Sequence, residues 1–505
     1  MYRARIILSV GLILLLLTGC GQAPMNTTPL NPTGAQLAQV SLSMTDEPPS
    51  GVTILFFQIS LTAASLTPAS GSGSVSLLNN NTPIQVDVTQ LQAVSAFLST
   101  VNVPTGTYNS LTLSFANPQL VIFNAADQAI ASACPLNTVC QLTPQIDNSQ
   151  TLTFSSAPFP VTVAQKSPVG FLLDFHLNQV IQSDLSVNLG VTNGVTVEPL
   201  PSAPPSGPRP FGFLFGTVQN VDASQNQFTL ETGWGRTFAI DVNSSTTYDN
   251  FPSSVCATSS FSCVVSGQIV KVQVASVQAD GTLLAAQVSY VQAATQQVVE
   301  GNIIGLSTSN GNTVMKLLLH WSPDANSLPL GGIATVTVPS TATFSIDSDN
   351  FTIPAGLSFA SASDLLVGQD VQVNVASGTL SNSHGSSHWN PRSVSFTANS
   401  VELEPSQITG RIAAIDSSTS SFTIQTFPNF FASCSNQNWP TWTPTQLTVD
   451  TTSQTTFQGL SPDSFSGLTT NSLVSVRGWL FSTPSGATPS TQLAEMVLGR
   501  PQGFF

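Results

Sequence analysis

Apolar and polar positions alternate in short runs along most of this 505-residue chain, and clusters of Gly, Pro, Ser and Asn separate the runs. Gly267-Gln268-Ile269-Val270-Lys271-Val272-Gln273-Val274 is typical: every second residue is apolar, the period of a strand with one buried face. Such runs predict an all-β protein. Three stretches depart from the pattern. From Val88 to Thr100, Leu91, Val94, Phe97 and Leu98 fall at helical spacing and predict a helix. From Ile6 to Leu17 the chain is apolar without alternation, for about 12 residues, too short to span a bilayer and typical of a secretory signal. Residues 199–210 carry five prolines after Leu200 and predict a stiff, polyproline-like spacer between domains.

Beyond residue 210 the alternation is organised as an internal repeat. Each copy opens on a glycine and a short strand: Gly216-Thr217-Val218, Gly301-Asn302-Ile303 and Gly410-Arg411-Ile412. A second strand follows at Phe228-Thr229-Leu230, Lys316-Leu317-Leu318 and Phe422-Thr423-Ile424, then Thr247-Tyr248, Thr343-Phe344 or Thr456-Phe457. An alternating strand comes next, at Gly267–Val274 and Gly368–Val375, with only Leu473–Gly478 kept in the third copy. An apolar strand closes each copy. Five short strands in a unit of this size predict a small OB-like β-barrel. The expected units are 211–297, 298–405 and 406–505. On these residues the repeats resemble the DUF5666 family, found in tandem in exported bacterial proteins.

The segment 38–198 resembles a second family, DUF4382. Val40–Pro49 looks like its opening strand and acidic turn, Val103-Pro104-Thr105-Gly106-Thr107-Tyr108 like its P-x-G-x-Y turn, and Phe171–Leu177 like its late strand. His176 stands where the family usually has a second acid. The resemblance implies a prealbumin-like β-sandwich, so the expected architecture is one sandwich followed by three OB-like barrels. The first 20 residues carry a third resemblance. Arg3 and Arg5 precede the apolar run, and Leu17-Thr18-Gly19-Cys20 looks like the lipobox of bacterial lipoproteins. That implies cleavage between Gly19 and Cys20, acylation of Cys20 and attachment to a membrane, with 20–37 as a flexible tether. Gly21 rather than Asp after Cys20 implies the outer membrane in a Gram-negative cell. The repeats are then expected to run outward from the membrane, beyond the proline spacer.

Charge narrows the partners. Removing residues 1–19 takes two of the eleven Lys and Arg, leaving nine against 25 Asp and Glu, a net charge of −16. Nucleic acid, which needs a basic surface, is excluded as an expected partner. Charged residues make up only 7% of the chain, so amide and hydroxyl side chains must supply most of its polar surface. Cys134 with Cys140, and Cys256 with Cys263, are each close enough in sequence for a local disulfide in an oxidising compartment. Such short loops would gain roughly 2–2.5 kcal/mol each. Cys434 has no obvious partner.

The chain holds no nucleophile elbow, no H-E-x-x-H motif and no phosphate-binding glycine loop. Asp46 and Glu47, with Asp174, are too few oxygens for Ca²⁺. His384 and His388 lie in a polar stretch without helix signals, and His320 ends a strand, so no metal or cofactor is assigned. No catalytic residue is assigned either; a cleft in which Asp46, Asp87, Asp174 and His176 converged would be needed to reopen that question. Aromatic rings are the more useful hint. Trp234, Trp439 and Trp442 lie among amide and turn residues, a composition suited to stacking on sugar faces. The expectation is a non-catalytic, lipid-anchored binding or adhesion protein of the cell envelope, directed at a polysaccharide or an envelope protein. The alternative is a structural spacer or assembly subunit.

Overall fold

A computed structural model describes residues 37–47, 53–71, 73–78, 83–91, 95–124, 138–147, 149–165, 169–182, 184–200, 212–232, 236–254, 256, 258–278, 280–293, 297–322, 328–348, 351–382, 394–426, 446–482 and 491–500. The protein is all-β; among the described residues the exceptions are one helical turn at Leu177–Val180 and a few 3₁₀ turns. The N-terminal domain is a sandwich. One sheet runs Val195–Leu200, Val169–His176, Leu37–Glu47, Ala96–Pro104; the other is built on the long hairpin of Thr53–Pro68 with Gly106–Asn124. Phe57, Ile59, Leu113 and Phe115 of the hairpin share a single core with Val40, Leu42, Phe171 and Phe175 of the facing sheet. Tyr108 is buried, and its hydroxyl donates to the Pro104 carbonyl at 2.7 Å, so the tyrosine pins the corner where the hairpin begins.

The expected helix from Val88 to Thr100 is corrected. A 3₁₀ turn covers Val88–Leu91, and Ala96–Pro104 is a strand. Phe97 and Leu98 explain why. Both are buried, but Leu98 enters the sandwich core while Phe97 enters the core of the first barrel, the two-sided burial of a strand.

Each repeat folds as a five-stranded barrel of one topology. In the first, Leu214–Asp222 pairs with both Gln227–Glu231 and Gln268–Val277; Thr237–Asp241 then pairs in parallel with Leu283–Ala293 to close the ring. The third barrel closes identically, between Gln446–Asp450 and Thr491–Gly499, and the middle one between Ile333–Val338 and Val394–Glu404. This is the OB strand order. The Thr-aromatic pairs form a short extra strand alongside the closing one. The third strand of the ring carries no motif shared by the copies, which is why the repeat pattern alone does not mark it.

The opening glycines have a steric cause. A Cβ on Gly216 would lie 2.4 Å from the Glu231 carbonyl oxygen, on Gly301 2.2 Å from that of Leu318, and on Gly410 2.6 Å from that of Gln425. Just beyond each glycine the pairing with the second strand slips by one residue. The bulge bends the first strand so that it can pair on both sides of a narrow barrel. At the entry to the fourth strand, Gly267 and Gly368 adopt positive φ, and Asn471 does so in the third barrel. Asn tolerates this conformation, so the turn survives although the glycine is gone.

The expectation of repeats strung outward beyond a spacer is also corrected. Leu37–Phe505 forms one compact unit, and the last strand of the sandwich reaches Leu200, inside the expected linker; residues 201–211 lie outside the described residues. The reason is on the outer faces of the barrels, which are apolar where they meet neighbours. Trp479 of the third barrel is fully buried in the core of the second, 5.1 Å from Phe351, with its Nε1 donating to the Asp347 carbonyl at 2.7 Å. Phe56 and Val121 of the sandwich pack on Ile304 and Leu318 of the second barrel, and Met496 of the third joins the sandwich core. Substituting Gly301→Ala should destabilise this unit by about 1–3 kcal/mol through overpacking. Gly305→Ala, where a Cβ would meet only the Lys316 stem at 3.6 Å, should be far milder. Urea unfolding of the two variants checks this.

Candidate functional site

Where the sandwich and the three barrels meet, they enclose a cavity of about 620 Å³, within the range of small-molecule sites. Its walls come from all four domains: Asp87 and Gln90 from the sandwich, Lys271 from the first barrel, Glu300, His320, Trp321 and Asp370 from the second, and Arg477 and Glu495 from the third. A chain so sparing with charge places much of its charge here. The cause is strand alternation. Val270, Val272 and Val274 fill the first barrel's core, so Lys271 must point out of it, and at that point the outside of the barrel is the cavity.

Lys271 is 3% exposed and holds two carboxylates of the second barrel, Asp347 at 2.7 Å and Glu404 at 2.9 Å. Its ammonium also lies 4.6 Å from the centre of the Phe213 ring and 5.6 Å from that of Phe215. Arg477, 5.5 Å over the same Phe213 ring, pairs with Glu495. His320 Nδ1 lies 2.7 Å from Asp87 Oδ2 and 3.1 Å from Gln90 Nε2, which joins the second barrel to the sandwich. The Gln407 amide then donates to the Gln90 carbonyl at 2.7 Å, tying in the third barrel.

Acids outnumber bases around this space, and their proton affinities respond. Burial pushes the Glu300 carboxyl up to about 7, against the opposing pull of Lys271. Burial also raises Asp370 and Glu404, the latter despite its contact with Lys271. For His320 burial acts downward, but the hydrogen bond and charge of Asp87, with Asp370 and Glu300, carry it above 6.5 overall. Besides Glu495 Oε2, which is ion-paired with Arg477, two polar atoms on cavity-lining residues are buried without a hydrogen-bond partner among the described residues: Trp321 Nε1, a donor, and Gln458 Oε1, an acceptor. Trp321 also packs at a tilt against Phe215, with 5.1 Å between ring centres and 43° between the ring planes.

Of the residues singled out by sequence, Asp87 and His320 reach the cavity; the others fall elsewhere or outside the described residues. Cys20, Gly19, Cys134, Cys434, His384, His388, Trp234, Trp439 and Trp442 lie outside the described residues. Cys256 and Cys263 form the expected disulfide, with Cα atoms 5.3 Å apart, and Cys140 is also disulfide-bonded. Asp46 and Glu47 pair in register with Phe175 and His176, and Asp174 sits opposite Thr45, all on one sheet of the sandwich. Asp87 ends a strand of the other sheet and turns to His320. The convergence of acids therefore arises between domains. Among the described residues no group of three or more His, Cys, Asp or Glu is arranged to hold a metal ion. Sequence reading missed Lys271, Glu300, Asp370, Arg477 and Glu495; the available signal was charge at outward strand positions in a chain with so little of it.

Comparison with known proteins gives two family matches. The description "Domain of unknown function (DUF4382)" matches residues 37–194, and "Domain of unknown function (DUF5666)" matches residues 215–289 and 409–481. These define the class: an N-terminal DUF4382 domain followed by β-barrel repeats, two of which match DUF5666. The middle barrel, covered by neither match, shares their topology. No curated protein matches the chain.

The raised Glu300 has a consequence for stability. A carboxyl whose folded value lies above its unfolded 4.5 stabilises the fold fully below 4.5, and that contribution is lost as pH rises to about 7. His320, also raised, acts in the same direction through the range above 6.5. The melting temperature should therefore fall between pH 4.5 and 7, and Glu300→Gln should flatten that fall. Thermal melts across this range provide the measurement.

Proposed function

We propose that this protein is an exported, lipid-anchored binding protein of the cell envelope, non-catalytic, with its ligand site in the central cavity and a carbohydrate as ligand. One observation carries the reading. The cavity joins aromatic rings (Phe213, Phe215, Trp321) to the amide side chains of Gln85, Gln90, Gln273, Gln407, Gln454 and Gln458. Sugars offer apolar faces to rings and hydroxyls that both donate and accept, so they fit such walls. The anchor rests on Leu17-Thr18-Gly19-Cys20, with the outer membrane as destination in a Gram-negative cell. Trp234, Trp439 and Trp442, which lie outside the described residues, remain candidates for additional contacts.

The second reading is a structural spacer or assembly subunit. The observation favouring it is the extent to which the four domains bury one another through Trp479, Phe56 and Met496. A glycan array probed with the purified protein separates the two. Carbohydrate binding that drops about ten-fold in both Trp321→Ala and Gln458→Ala, with melting temperatures kept, supports the cavity as the site. Absence of binding to any glycan favours the spacer. For the anchor, Cys20→Ser should move the protein from the membrane fraction to the soluble envelope extract; retention with the membrane would refute lipid attachment.

A further inference from the structure

The charges on the cavity wall do not balance. Lys271 serves Asp347 and Glu404, Arg477 serves Glu495, and His320 serves Asp87. Arg236, the other cation on the wall, donates to the Leu98 carbonyl and lies over the Phe238 ring, and two carboxylates have no ion pair among the described residues. Glu300 accepts no hydrogen bond among the described residues, and Asp370 accepts one from a neutral side chain, the Asn302 amide at 3.2 Å. They lie close together by register. Asp370 pairs with Asn302, and Glu300, two residues before Asn302, pairs with Gln372 on the same strand as Asp370. Glu300 and Asp370 are thus diagonal neighbours on one face of the sheet, about 7–8 Å apart at their backbones. On its other side Glu300 pairs with Trp321, whose ring packs at a tilt against Phe215.

We propose that the cavity selects an amine-bearing sugar, whose ammonium group sits between Glu300 and Asp370 beside the Trp321 ring. This rests on the reading of the cavity as a carbohydrate site and narrows its ligand. An ammonium there meets two carboxylates that make no direct ion pair among the described residues, Lys271 and His320 acting on Glu300, and His320 and Arg477 on Asp370, only from further off, and an aromatic face that attracts positive charge. Without a ligand, the same burial leaves these carboxyls holding protons at higher pH than usual. A cation that displaces them makes the direct ion pair that Lys271, His320 and Arg477, each in contact with another acid, do not make with them. A neutral sugar would leave both carboxyls as they are, and an anionic sugar would be repelled.

The test is isothermal titration of the purified full chain, in detergent and slightly acidic buffer, with two probes: the glucosamine trimer and its fully N-acetylated counterpart. The amine-bearing trimer should bind about ten-fold or more tightly than the acetylated one. Glu300→Gln and Asp370→Asn should each bring the ratio of affinities towards one, while Lys316→Gln, on an exposed strand position outside the cavity, should keep it. Equal affinity for both trimers would overturn the amine inference and leave the carbohydrate reading standing. A preference that persists in both carboxyl variants would overturn the assignment to Glu300 and Asp370. Failure of both trimers to bind would remove the carbohydrate reading along with it.

Discussion

One ammonium group, that of Lys271, joins two barrels from the inside. It leaves the first barrel at an outward strand position and meets Asp347 and Glu404 of the second, all three almost wholly buried. Such a set gains little over an apolar contact of the same shape, yet removing one member is severe, roughly 3–5 kcal/mol, because buried charge is stranded. Its value lies in specificity of arrangement. Apolar outer faces alone would let barrels slide against one another; a cation that must find two particular carboxylates fixes how the first and second barrels meet. The His320–Asp87 contact does the same between the second barrel and the sandwich. The cavity exists because these polar contacts hold the walls in place.

Within each domain, the sequence states its fold openly. Alternation and the opening glycines mark strands, and the glycines owe their position to carbonyls that leave no room for a Cβ. Phe97 shows where that legibility ends. It and Leu98 lie on a strand whose two faces serve different cores, and no local pattern distinguishes this from a helical spacing. The site was harder still. Glu300, Asp370 and Arg477 occupy positions that in an isolated barrel would simply be the solvated face, and only the meeting of four domains converts that face into an interior. Trp479 belongs to the same category: a tryptophan near the end of a strand in sequence, an inter-barrel core residue in the fold.

Sparse charge also changes what charge can do. With 7% of residues charged, the exterior relies on amides and hydroxyls, whose hydration responds little to acid or salt. The cavity concentrates titratable groups where water does not screen them. Changes of pH therefore act on this protein mainly from within, at the junction of its domains, and much less at its surface.

Tandem repeats usually invite variation in number. In an open solenoid each unit touches only its neighbours, so units can be gained or lost while the architecture persists. Here the barrels and the sandwich surround a shared space, and each supplies a wall. Deleting a barrel would open the chamber, and inserting a fourth would leave it no place at the junction. Copy number in this chain is consequently a closed geometric quantity, and an evolutionary change in it would have to rebuild the site.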